Sequence, residues 1–260
     1  MKGGTFSMRF FHSLLRPEEN AGRAMRCVHR LWVFLWLTAF GLGIGLLSLY
    51  LTANSYASID AQALWESYFK LPLLVVMDLL LPLLVVYLGF FLFARPWAAY
   101  LLSAVPFLGL ALASYYKIQL RGDPVLASDL RLIRTAGGIM GNYTFELTEP
   151  VKLVIAGFAG MLVLSLVLLR RERMSQRGRL AGLMVMLALT LASYFELYTS
   201  ADIYEKTANN SLINPWSEVE IYLSRGTTYP FLYSVKDMFP NAPSGYRESE
   251  ATGTLAEYED

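Results

Sequence analysis

Five long apolar runs, at residues 31–51, 71–93, 97–115, 151–169 and 180–198, set the pattern of this chain. Each is close to the ~20 residues that carry an α-helix across a hydrocarbon layer. Aromatic side chains sit at their ends, as they do at membrane–water interfaces: Trp32, Trp36 and Tyr50 on the first, Trp97 and Tyr115-Tyr116 on the third. Only Ala94-Arg95-Pro96 separates the second run from the third, so these two are expected to form a tight antiparallel hairpin. The pattern predicts an all-α integral membrane fold. It is a five-helix transmembrane bundle with an external amphipathic helix and an external helical linker.

The polar segments divide the chain further. Residues 1–30 form a basic tail carrying Lys2, Arg9, Arg16, Arg23, Arg26 and Arg30 against Glu18 and Glu19. Phe10, Phe11, Leu14 and Leu15 give that tail either a small amphipathic patch or a merely disordered character. Residues 31–198 are the membrane domain, interrupted by a long loop at 116–150, and residues 199–260 are a juxtamembrane linker. The loop opens with Gly122-Asp123-Pro124, which cannot continue a helix. Ser128 is then a suitable N-cap, with Asp129 in the first turn, where the helix dipole favours a carboxylate. Leu130 and Ile133 share a face, Arg131 and Arg134 lie three apart, and Gly137-Gly138 ends the segment. The predicted element is a short amphipathic helix at headgroup level, with packing on the bundle end as the plainer alternative. In the linker, Asn214 as N-cap, Pro215 in the first turn and Trp216, Val219 and Tyr222-Leu223 predict a helix that stops near Gly226. The aromatic stretch at 229–239 is too apolar to remain in water.

Composition sharpens this. The 260 residues are 55% apolar and 17% charged, with net charge +1, which argues against an ordinary soluble domain and against nucleic acid as a partner. Cys27 is the single cysteine, so no internal disulfide forms. The first apolar run lacks a small-residue cleavage site and reads as a retained span. Arginines concentrate in the amino-terminal tail, at Arg95, and at Arg170, Arg171, Arg173, Arg177 and Arg179. With five spans all three clusters fall on one side, which the positive-inside rule makes cytoplasmic, and the carboxyl terminus falls outside.

One charge lies within a run. Asp78 costs at least ~2.5 kcal/mol at mid-depth unless it finds a partner, so it is expected to face the bundle, outer-loop water, or a base such as Lys117, Arg121 or Arg131. A lone intramembrane charge without an internal repeat disfavours a transporter. The two histidines, His12 and His29, precede the first run, and no clustered ligand spacing or paired nucleophile and base appears beyond it. No catalytic or metal-ligating residue is therefore assigned.

The order of several motifs resembles a known family. Arg-Gly-Asp-Pro-(x)3-Ser-Asp-Leu occupies 121–130, Asn-Pro-Trp…Gly…Tyr-x-Phe-Leu-Tyr occupies 214–233, and Pro-x-Gly-Tyr occupies 243–246. With five spans and an external carboxyl terminus, this is similar to the amino-terminal membrane half of lipoteichoic acid synthase-type proteins, sulfatase-like phosphoglycerol transferases of the bacterial envelope. The resemblance implies a bacterial cell-membrane location. It also implies an extracellular catalytic domain, in cis or in trans, with a threonine nucleophile and manganese. That domain takes phosphoglycerol from phosphatidylglycerol. The chain stops at Asp260, where such a domain would begin. A fragment, a split gene product and a stand-alone module are all open, and this polypeptide alone is not expected to catalyse the transfer. Local chemistry, not the family pattern, makes Arg121, Arg131 and Arg134 candidates for headgroup phosphate, because guanidinium matches phosphate bidentately. Asp129 would hold one of those arginines or cap the helix. Trp216, Tyr229, Phe231, Tyr233 and Phe239 are candidates for docking the catalytic domain. The alternative function is a polytopic binding or regulatory protein that serves a separately encoded enzyme.

Overall fold

The structure is a computed structural model that describes residues 23–132, 145–169 and 174–238. It is all-helical, with no strand among the described residues. Most of the amino-terminal tail, the loop centre with Ile133, Arg134 and Gly137-Gly138, and the end from Phe239 onward lie outside those ranges. Among the described residues nine α-helices follow in order: α1 Arg23–Ala53, α2 Ala61–Lys70, α3 Pro72–Phe93, α4 Pro96–Arg121, α5 Glu149–Leu168, α6 Gln176–Ser193, α7 Ala201–Lys206, α8 Glu218–Leu223 and α9 Thr228–Ser234. Two 3-10 turns, Ala127–Leu132 and Val235–Met238, and a π-helical turn, Tyr194–Tyr198, complete them.

Five of these are long and apolar enough to cross a membrane: Cys27–Ala53, Pro72–Phe93, Pro96–Arg121, Glu149–Leu168 and Gln176–Tyr198. α1, α3 and α4 pack on one another and carry the core residues Leu37, Phe40, Ile44, Met77, Phe90 and Tyr100. α5 leans on α4 and α1, while α6 leans on α3 and keeps its other sides open. The α1–α3 crossing is close because Gly41 and Gly45 lie one turn apart. A Cβ at Gly41 would stand 2.6 Å from Leu83 Cα, and one at Gly45 would stand 3.1 Å from Leu79 Cα. Small residues at i and i+4 let two backbones approach in this way.

The hairpin between α3 and α4 turns where the sequence places it. Ala94 takes a left-handed conformation (φ 52°), Arg95 is extended, and Pro96 starts α4, where its missing N–H is no loss. Arg179 of α6 donates to the free carbonyls of Phe91 and Leu92 at the end of α3.

Three local expectations need correction. In its described part, Ala127–Leu132, the segment after Pro124 is a 3-10 turn, not an α-helix, and Ser128 is not its cap. Instead Asp129 reaches back three residues to accept the Leu126 N–H at 2.8 Å, which holds the segment in a tight turn. The linker helix starts at Glu218 rather than at Pro215. Ser217 caps it by accepting the Glu220 N–H, while Asn214 makes a local turn by accepting the Trp216 N–H. α2 was not expected. Asp60 caps it through the Gln62 N–H, and it buries Leu64, Ser67 and Tyr68. The alternation of Leu64 and Tyr68 at helical spacing was the available signal, masked by the polar residues around it.

A buried carboxylate under a helical cap

Residues 199–238 do not trail from the bundle. α9 packs on α3, on α4, on the π-helical turn and on the 3-10 turn at 127–132. Together with α2, these pieces close one end of the bundle as a cap. The seat of that cap is Asp78. Its carboxylate is fully buried in α3, and Oδ1 accepts the Thr228 N–H at 3.1 Å and the Tyr229 N–H at 3.2 Å. These are first-turn amides of α9, which have no partner within their own helix. Asp78 thus caps a helix 150 residues further along the chain. No described base pairs with it. Lys117, Arg121 and Arg131, the sequence-level candidates, are occupied elsewhere or lie apart from it.

Gly226 makes this approach possible. It adopts φ +86°, and a Cβ there would lie 2.3 Å from Asp78 Oδ2. Only glycine accepts both that backbone and that contact. Oδ2 itself has no hydrogen-bond partner, nor do the buried hydroxyls of Ser48 and Thr228.

Around Asp78, polar bonds tie the cap down. The Tyr198 phenol donates to Met77 O at 2.7 Å, from the π-helical turn that rotates it inward. The Tyr68 phenol donates to Leu223 O at 2.8 Å, and Thr52 and Thr227 share a buried hydroxyl–hydroxyl bond. Burial, reinforced by Asp78, pushes the Tyr68 and Tyr222 phenols well above the ordinary tyrosine range, so both remain donors at any physiological pH. Asn209 donates to Ser67, and Ser234 accepts the Ala127 N–H. Within the cap a column of rings and cations forms. The Arg225 guanidinium lies 4.2 Å over Tyr204, Tyr204 stacks on Tyr233 at 3.7 Å, and Lys236 covers Tyr233 at 3.5 Å. Such cation–aromatic contacts contribute roughly 0.5–2 kcal/mol each.

The loop residues singled out from the sequence divide. Asp129 forms an ion pair with Lys117 at 2.8 Å, rather than with an arginine, besides capping its own turn. The Arg131 guanidinium donates to the Met238 carbonyl, which links the 3-10 turn to the end of the cap. Arg121 is exposed at the end of α4. Arg134 lies outside the described residues. Of the docking candidates, Tyr229 is fully buried and Tyr233 is stacked within the cap. Phe231 is half-buried, Trp216 is 91% exposed, and Phe239 lies outside the described residues. Tyr229 therefore belongs to the interior of the cap, while Tyr233 is half-buried in its stack.

Among the described residues no group of three or more His, Cys, Asp and Glu side chains converges. No protein-family model, no characterised protein and no solved structure matches the chain.

Proposed function

We propose that this chain is the membrane module of a lipoteichoic acid synthase-like phosphoglycerol transferase. It lies in a bacterial cell membrane with its amino terminus in the cytoplasm and its cap outside. Its role is to anchor an extracellular sulfatase-like domain and fix that domain's height over the outer leaflet. One observation carries the reading: the segment after the last span is folded onto the bundle through Asp78 instead of hanging as a tether. A flexible linker only limits distance, whereas a docked one sets position, and a transfer between a lipid headgroup and a polymer end needs position. Phosphatidylglycerol would meet Arg121 at the same end. Manganese and the threonine nucleophile would belong to the catalytic domain, which supplies the covalent chemistry.

The test is to isolate the protein from its own membrane through a tag on the amino-terminal tail. The isolate is expected to contain a sulfatase-like domain, either on the same polypeptide or co-purifying. It should convert phosphatidylglycerol to diacylglycerol while phosphoglycerol passes to an acceptor. Isolation of the chain with no such domain and no diacylglycerol would overturn the proposal and leave a binding or regulatory membrane protein.

A further inference from the structure

The end of the bundle opposite the cap carries its own chemistry. Among the described residues there, the charged side chains are Arg30, Arg95, Arg177 and Arg179, and no Asp or Glu accompanies them. Arg179 is committed to the α3 carbonyls. Arg95 is not. It is exposed in the α3–α4 turn, it makes no side-chain cap to α4, and it forms no hydrogen bond or ion pair with a described residue.

Arg95 stands at the mouth of an open groove of about 720 Å³. The walls are Phe93 from the end of α3 and one face of α4, including Trp97, Leu101, Leu102, Val105 and Pro106. From Trp97 to Pro106 the groove runs along the helix for roughly 13 Å, near half the ~30 Å of a hydrocarbon layer. Pro106 lies inside the helix and cannot bond the carbonyl of Leu102, so the wall is locally irregular there. An uncommitted guanidinium, an interfacial tryptophan and a membrane-facing apolar groove follow one another along a single line.

We infer that this groove binds one anionic phospholipid, with an acyl chain along α4 from Trp97 to Val105 and the headgroup phosphate on Arg95. Charge complementarity selects the occupant. The end is cationic without a described acid, and guanidinium pairs with a phosphate diester through two parallel donors. A zwitterionic lipid would bring its own cation beside Arg95 and lose that advantage. The inference does not rest on the transferase reading, because the groove and the cap lie at opposite ends.

The test uses the full chain in lipid nanodiscs, with tryptophan fluorescence quenched by brominated phosphatidylglycerol or brominated phosphatidylcholine. Preference for the anionic lipid is expected, and Arg95→Gln should lower it about fivefold, the worth of one basic side chain at a membrane surface. Val105→Phe fills the groove without touching the charge or adding a fluorophore that the bromines would read, and it should also abolish the selective quenching. Trp97→Phe should remove the selective part of the signal while leaving the rest. Both Arg95 and Val105 are exposed, so the variants are expected to keep wild-type helicity, checked by circular dichroism. Equal quenching by the two lipids, or an undiminished preference in Arg95→Gln, would overturn the inference. So would a full preference in Val105→Phe, or displacement of the lipid by glycerol phosphate alone, since either would leave the groove without a part.

Discussion

Asp78 shows how a single residue can be expensive and structural at once. A carboxylate in an apolar span must be compensated, and here two backbone amides do so instead of a cation. The amides are as dependent on the carboxylate as it is on them, because α9 begins in a buried place where water cannot reach Thr228 or Tyr229. Asp78→Leu would strand two buried N–H groups and is expected to cost roughly 2–6 kcal/mol, counting one desolvation penalty for each. Asp78→Asn keeps an oxygen for both amides and should stay within about 1 kcal/mol of wild type. Gly226→Ala adds a Cβ that collides with Oδ2 at a positive φ, and it should behave like Asp78→Leu. Limited proteolysis between residues 207 and 227, followed in detergent together with thermal unfolding, reads these effects. Faster cleavage is expected for Asp78→Leu and Gly226→Ala but not for Asp78→Asn. Equal resistance in all three variants would mean that the cap is held by its aromatic contacts and not by this carboxylate.

Among the elements, glycines on the same helix have unequal neighbours. Gly41 of α1 faces the backbone of α3, whereas Gly43, two residues on, faces the flexible tip of Met161. Gly41→Ala must push two helices apart and is expected to lower stability by about 1–3 kcal/mol, the usual cost of overpacking. Gly43→Ala meets only a side chain that can rotate away, and its cost should be no more than about 1 kcal/mol. Thermal unfolding of the two variants side by side decides whether the α1–α3 crossing is as close as the structure has it. The five long helices were legible in the sequence because apolar runs of this length outlast any strand, and Pro96 marked the start of α4. The helical crossing was written there too, as Gly41 and Gly45 one turn apart, but a pattern of small residues does not say which helix it receives. The 3-10 turn at 127–132 escaped because Asp129 bonds backward to Leu126, an arrangement that the same letters share with an N-terminal helical turn.

At the scale of the whole molecule, the two ends are chemically distinct. One end gathers arginines around the α3–α4 turn and the start of α6. The other gathers the cap, whose ion pairs are balanced, as in Lys117 with Asp129 and Lys206 with Asp202. That asymmetry was readable from the sequence, since it needs only the order of runs and the positions of Lys and Arg. What was not readable is that the linker returns to the bundle, because the bond from Asp78 to Thr228 joins residues that no local pattern relates. The asymmetry yields a prediction about sidedness. An odd number of crossings puts the start of α1 and the cap on opposite faces, and the arginine-rich face should be cytoplasmic. Cys27 is exposed near the start of α1 and is the natural probe of that face. In intact cells it should resist a membrane-impermeant maleimide and react only after permeabilisation. In a Cys27→Ser background, Trp216→Cys reports the cap, where the native side chain is almost wholly exposed, and it should label on intact cells. Gln176→Cys, at the start of α6, should follow Cys27. Labelling of all three positions on one side would require an even number of crossings. The weakest candidate is then α6, which packs chiefly on α3 among the long helices and has no buried residue of its own, so the failure would point to that helix as lying along the membrane instead of through it.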